Sequence, residues 1–147
     1  MLKARSRPNH LGLWGWLGGG RYGAERYGYA LHRITGLGIL AYFILHIFVT
    51  ASRMGGPEQW ERRMATFNNP VFKVGEFLVF LAFAYHAVNG IRLILVELSY
   101  MIGKPGLPSY PYQYSTLRQK PLFVAVMVIA AVVMIIGGVD FYFVIGK

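Results

Sequence analysis

Three stretches of the chain are apolar on every side, with neither the alternation of a strand nor the single stripe of a surface helix. They cover about residues 34–52 ("ITGLGILAYFILHIFVTAS"), 74–98 ("VGEFLVFLAFAYHAVNGIRLILVEL") and 121–145 ("PLFVAVMVIAAVVMIIGGVDFYFVI"). Each reaches the roughly 20 residues needed to cross a hydrocarbon core about 30 Å thick. Helix is predicted for all three, because lipid offers no partner to an open backbone. Between them, residues 53–73 hold the turn formers Gly55, Gly56, Pro57, Asn68, Asn69 and Pro70, and residues 99–120 hold Pro105, Pro108 and Pro111 among tyrosines. The fold expected is all-α and integral to a membrane. Residues 34–147 form a domain of three transmembrane helices, and residues 1–33 a cytoplasmic and interfacial segment. That segment is basic and glycine-rich, with Trp14, Trp16, Tyr22, Tyr27 and Tyr29 suited to the headgroup layer. Three helices make a thin bundle. Gly36, Gly38, Ala41, Ala82, Ala84, Ala87 and Gly90 permit close approach, so partner helices are expected to complete it.

Composition agrees with a membrane. The 147 residues are 55% hydrophobic and carry a formal net charge of +9. Mean hydropathy is +0.42, too apolar for an ordinary soluble domain. The cations flank apolar runs, which points to membrane lipids and away from nucleic acid. There is no cysteine, so disulfides, thiolate metal sites and iron–sulfur ligation are excluded for this chain. Lys3, Arg5, Arg7, Arg21 and Arg26 precede the first span, and Lys104, Arg118 and Lys120 precede the third. This bias places the N-terminus and the second linker in the cytoplasm and the C-terminus outside. The chain opens without a signal peptide or transit segment. A bacterial or archaeal plasma (inner) membrane is therefore expected, with the mitochondrial inner membrane as the alternative.

Ionisable groups within spans are functional candidates by default. They are His32 and Arg33 at the inner mouth, His46, His86, Arg92, Glu97 and Asp140. Asp140 and Glu97 lie near span ends, within reach of water. His86 is mid-span, too deep for a short imidazole to reach the interface, and Ala82, Asn89 and Gly90 lie one turn away. Two readings stand side by side. One is an axial ligand of haem iron, metal-binding through a neutral imidazole. The other is a histidine bonded to the backbone or a hydroxyl of a neighbouring helix. His32 and Arg33, with Arg92 six residues beyond His86, could neutralise the anionic groups of a buried cofactor, or could meet lipid headgroups. An arginine can also bond a quinone carbonyl. His46 lies about 21 Å from His32 and within about 40° of the same helix face. Antiparallel packing would put it about 10 Å from His86 in depth, room for a second, outer haem.

The motifs "LHRITG" and "YHAVNGIRLILVEL" together resemble the cytochrome b membrane-anchor family of succinate dehydrogenase, specifically its C-type anchors. The entrance motif of that family reads Ser-x-x-His-Arg-x-[Ser/Thr]-Gly, and the second-helix motif His-x-x-x-Gly-x-Arg-His-x-x-x-Asp. The resemblance covers about residues 27–100. It implies that His86 is an axial ligand of haem b, the other ligand coming from a second membrane-anchor subunit. It implies that His32 and Arg33 lie beside the haem propionates, that Arg33 adjoins the quinone, and that Gly90 and Arg92 are the glycine and arginine of the second motif. Three positions depart from the pattern. Tyr29 replaces the serine of the quinone site, Leu93 replaces a histidine, and Glu97 replaces the aspartate. Some relatives hold two haems, and His46 would serve the second. The function implied is that of an anchor in a succinate dehydrogenase complex, part of the tricarboxylic acid cycle and of electron transport. It would work with a flavoprotein subunit and an iron–sulfur subunit, and alone it would have no activity. The rivals are a quinol:fumarate reductase anchor and a cofactor-free structural or transport subunit.

Overall fold

The computed structural model describes residues 24–98 and 116–145, with Gly12 besides. Among them there are four α-helices and no strand. Helix α1 spans Ala24–Ala51 and runs into a 3-10 turn at Ser52–Gly55; α2 spans Pro57–Phe67, α3 Pro70–Glu97 and α4 Thr116–Ile145. Three stretches are long and apolar enough to cross a membrane: Ala24–Gly55, Pro70–Glu97 and Lys120–Phe143. The three expected spans are all present. The aromatic segment before residue 24 and the tyrosine-rich linker of residues 99–115 lie outside the described residues.

The helix limits differ from those expected. Helix α1 begins about ten residues before position 34, so His32 and Arg33 lie on it, in its third turn. The expectation placed the boundary where charge ends. A helix runs on through polar residues wherever they find partners, and His32 finds one on α3. The first linker is also more ordered than a run of turn formers suggests. Gly56 takes φ 90°, a conformation glycine adopts without steric cost, and Pro57 then starts α2. Pro70 starts α3 in the same way. Asn69 caps that start, its Oδ1 accepting from the backbone N–H of Val71 at 3.1 Å and of Phe72 at 3.2 Å. Helix α2 is amphipathic and short. Its Trp60 ring lies 4.5 Å from the Arg53 guanidinium. Glu58 pairs with Arg62 at 3.0 Å, both side chains exposed, a contact of little energetic weight.

Helix α3 is the middle of the assembly, with α1 on one side and α4 on the other. Its buried residues Tyr85, Asn89 and Arg92 fall at helical spacing on one stripe. The α4 stripe is Phe123, Val126 and Ala130. Small residues set how near the helices come. The Phe80 ring of α3 sits against Gly137, Phe77 lies 3.6 Å from where a Cβ on Gly138 would be, and Phe77 stacks on Phe141 at 5.1 Å. At the opposite end the Phe123 ring lies on Gly28 of α1; a Cβ there would stand 2.7 Å from it. In α1 only Gly28 and Ala30 are buried.

Gly137→Val would place two methyls in the space of the Phe80 ring. Overpacking of this kind costs about 1–3 kcal/mol. A lower thermal unfolding midpoint in detergent is expected, with a smaller change for Gly75→Val, since a Cβ at Gly75 meets nothing within 4 Å.

Candidate functional site

The seam between α1 and α3 brings two imidazoles face to face. The rings of His32 and His86 stack with centroids 3.9 Å apart and planes 7° from parallel. His86 is held by more than the stack. Its Nδ1 lies 3.0 Å from the backbone carbonyl oxygen of His32 and 3.3 Å from Oγ1 of Thr35. A carbonyl only accepts, so the bond to it requires the proton on Nδ1. In the neutral ring the lone pair is then on Nε2, which makes no hydrogen bond to a described residue. Thr35 is itself fixed by its own helix, its hydroxyl 2.8 Å from the carbonyl of Leu31 and 3.0 Å from that of His32.

Glycines make this closeness feasible. A Cβ on Gly36 would stand 2.8 Å from Cε1 of His86, and one on Gly90 would stand 3.6 Å from Cε1 of His32. Each imidazole thus faces a glycine of the opposite helix. The Tyr85 hydroxyl donates to the carbonyl of Gly28 at 2.7 Å, about one turn further along α1, and holds the two helices in register.

Beyond His86 the stripe becomes polar. Asn89 is fully buried and Arg92 is 6% exposed. The Arg92 Nε–H donates to Oδ1 of Asn89 at 2.9 Å, and its guanidinium lies 5.3 Å from the Phe123 ring. An arginine in the middle of a bilayer costs about 2.5–3.5 kcal/mol on insertion scales. The hydrogen bond from this cation returns about 1.5–3 kcal/mol and a cation–π contact about 0.5–2 kcal/mol. The site is left short of acceptors. Nδ2 of Asn89 and Nδ1 of His32 are also buried without a partner among the described residues.

The residues singled out from sequence therefore divide into three groups. His32 and His86 meet on the α1–α3 seam, and Arg92 lies further along α3 against Asn89 and the Phe123 ring of α4. Tyr29 and Arg33 meet on an exposed face of α1, where the Arg33 guanidinium lies 4.9 Å and that of Arg26 5.5 Å from the Tyr29 ring. His46 stands apart. It is exposed, touches the Tyr42 ring at 5.7 Å, and lines a cavity of about 380 Å³ with Gly75, Glu76 and Thr50, roofed by Trp60 and Met64 of α2. His32 stacks on His86 and His46 lies 14 residues further along α1, so the depth separation of His46 and His86 is about 21 Å and not about 10 Å. The larger figure follows from α3 starting at Pro70 and from the register with α1. Glu97 and Asp140 are both exposed.

Three contributors escaped the sequence reading. Thr35 and Asn89 are uncharged, and spans hold many threonines and asparagines that only link helices. Glu76 was the detectable one, an acid within the second span that faces the outer cavity.

A family model described as "Succinate dehydrogenase/Fumarate reductase transmembrane subunit" matches residues 1–136. The protein of Mycobacterium tuberculosis named "Succinate dehydrogenase 2 membrane subunit SdhC" is 28% identical over 86 residues, 58% of this chain. The match spans only 54% of that relative's length. No solved structure matches. With the family model covering most of its length and three membrane-spanning helices in place, the chain belongs to the succinate dehydrogenase/fumarate reductase transmembrane subunit family.

Proposed function

We propose that the chain is the cytochrome b anchor of a succinate:quinone oxidoreductase, holding haem b through Nε2 of His86. The observation that carries this reading is the bond from His86 Nδ1 to the His32 carbonyl. It commits one ring nitrogen to protein and leaves the other with its lone pair, the arrangement that metal-bound histidines favour. The rest of the site fits a haem. Glycines face both imidazoles, and His32 on α1 and Arg92 on α3 stand ready to neutralise the carboxylates. Asn89 holds a buried N–H in search of an acceptor. The haem would supply a one-electron carrier in the bilayer, its second axial ligand coming from a partner anchor subunit. His46, at the outer cavity, is the ligand this chain would offer a second haem.

Arg33 and Tyr29 form the quinone-facing group. They are exposed together on α1, where a guanidinium and a phenol can both donate to a quinone carbonyl. Electrons reach this face from an iron–sulfur subunit, itself fed by a flavoprotein subunit, and the chain contributes position and charge. The cationic N-terminal segment places this end on the cytoplasmic side of a plasma membrane. An anchor of a quinol:fumarate reductase would use the same residues, since direction is set by the quinone potential and the catalytic subunits. A cofactor-free bundle accounts for His86 Nδ1. It leaves Asn89 Nδ2 and His32 Nδ1 unpaired, at about 1–3 kcal/mol each.

In the purified complex, a reduced-minus-oxidised visible spectrum is expected to show haem b, and His86→Ala is expected to abolish it. A stable wild-type complex without haem would overturn the assignment. Arg33→Gln is expected to raise the KM for quinone or lower turnover at least tenfold while haem content holds. Unchanged quinone kinetics would remove Arg33 from the site.

A further inference from the structure

We propose that Thr35 is a positioning residue that sets the donor strength of His86 toward iron, and through it the reduction potential of the haem. This rests on the haem assignment above and deepens it. Thr35 stands at the [Ser/Thr] position of the entrance motif, which does not say what its hydroxyl meets, and a helical threonine ordinarily folds its hydroxyl back on its own helix. Thr50 shows what that ordinary state looks like in the same helix, with Oγ1 2.8 Å from the His46 carbonyl and 3.1 Å from that of Ile47. Thr35 makes the same pair of contacts, at 2.8 and 3.0 Å. It differs in having an imidazole nitrogen from another helix 3.3 Å from its oxygen.

The proton count fixes the roles. The Thr35 O–H is spent on a carbonyl of its own turn. Its oxygen lone pairs then face Nδ1 of His86, whose N–H is shared between this oxygen and the His32 carbonyl at 3.0 Å. Two acceptors on one N–H draw the proton away from the ring and make Nε2 the more basic. The ring has little freedom to turn away, because the His32 imidazole covers one face and Gly36 lies against Cε1. One turn of α1, from His32 to Gly36, therefore supplies a stacking plane, two acceptors and a close backbone, all to the same side chain.

A more basic axial imidazole stabilises ferric over ferrous iron. Removing one acceptor shifts the balance the other way. Thr35→Val keeps the shape of the side chain and deletes the hydroxyl. In the assembled complex its haem is expected to have a more positive midpoint potential. The ferric-to-ferrous ratio at a fixed ambient potential should fall about fivefold, the equivalent of one ordinary hydrogen bond. Thr35→Ser restores the hydroxyl and is expected to return the wild-type potential, which a purely packing role for the methyl would not do. Haem present with the same potential in wild type and Thr35→Val overturns the inference and leaves the haem assignment standing. Absence of haem from the wild-type complex overturns both. Proton hyperfine spectra of the oxidised wild-type complex need no variant. A hydrogen-bonded N–H on the axial imidazole of this chain is expected, and an imidazole without one overturns the inference even if Thr35→Val fails to assemble.

Discussion

An imidazole in a bilayer has two nitrogens and no water. Its N–H must find an acceptor, or the helix that carries it loses much of what its apolar neighbours contribute. In this protein the demand is met by a helix carbonyl, that of His32, already the acceptor of its own helical bond. A carbonyl has two lone pairs, so the helix can lend one without breaking. Most of the half of the structure around His86 follows from that loan. For the His86 ring to come within 3.0 Å of a neighbouring backbone, α1 and α3 must nearly touch. A glycine is needed at position 36, and the two helices must hold one register. The bond from Tyr85 to the Gly28 carbonyl keeps that register.

The polar stripe on α3 works against stability. Asn89 and Arg92 are buried where alanine and leucine would cost nothing to insert, and they recover only part of their desolvation from each other and from Phe123. The balance is carried by the other end of the molecule. There Phe77 and Phe80 pack onto glycines of α4, and the contacts are wholly apolar. The bundle is thus unevenly built, with an apolar half that holds helices together and a half that carries buried polar groups.

Much of this could be read from the sequence. The spans were legible because long apolar runs of about 20 residues have few other uses. His86 was legible because depth alone makes a histidine conspicuous. Helix ends were less so, since a charged pair suggests the limit of an apolar span while His32 lies inside α1. The role of Thr35 was hidden, because nothing in "LHRITG" says which neighbour its oxygen meets. His46 shows the same limit from the other direction. Its distance from His86 depends on where α3 starts and on the register of α1, and neither is written in the spacing within one helix.

Helix α1 is nearly bare. Leu37, Leu45 and Phe48 are 70%, 63% and 72% exposed, and only Gly28 and Ala30 are covered. It presents an aliphatic flank to whatever surrounds it while the opposite side grips His86. A neighbour that settles on that flank adds to the grip, because α1 cannot slide or tilt without moving the His32–Gly36 turn. The exposed flank and the turn that holds His86 are two sides of one continuous helix.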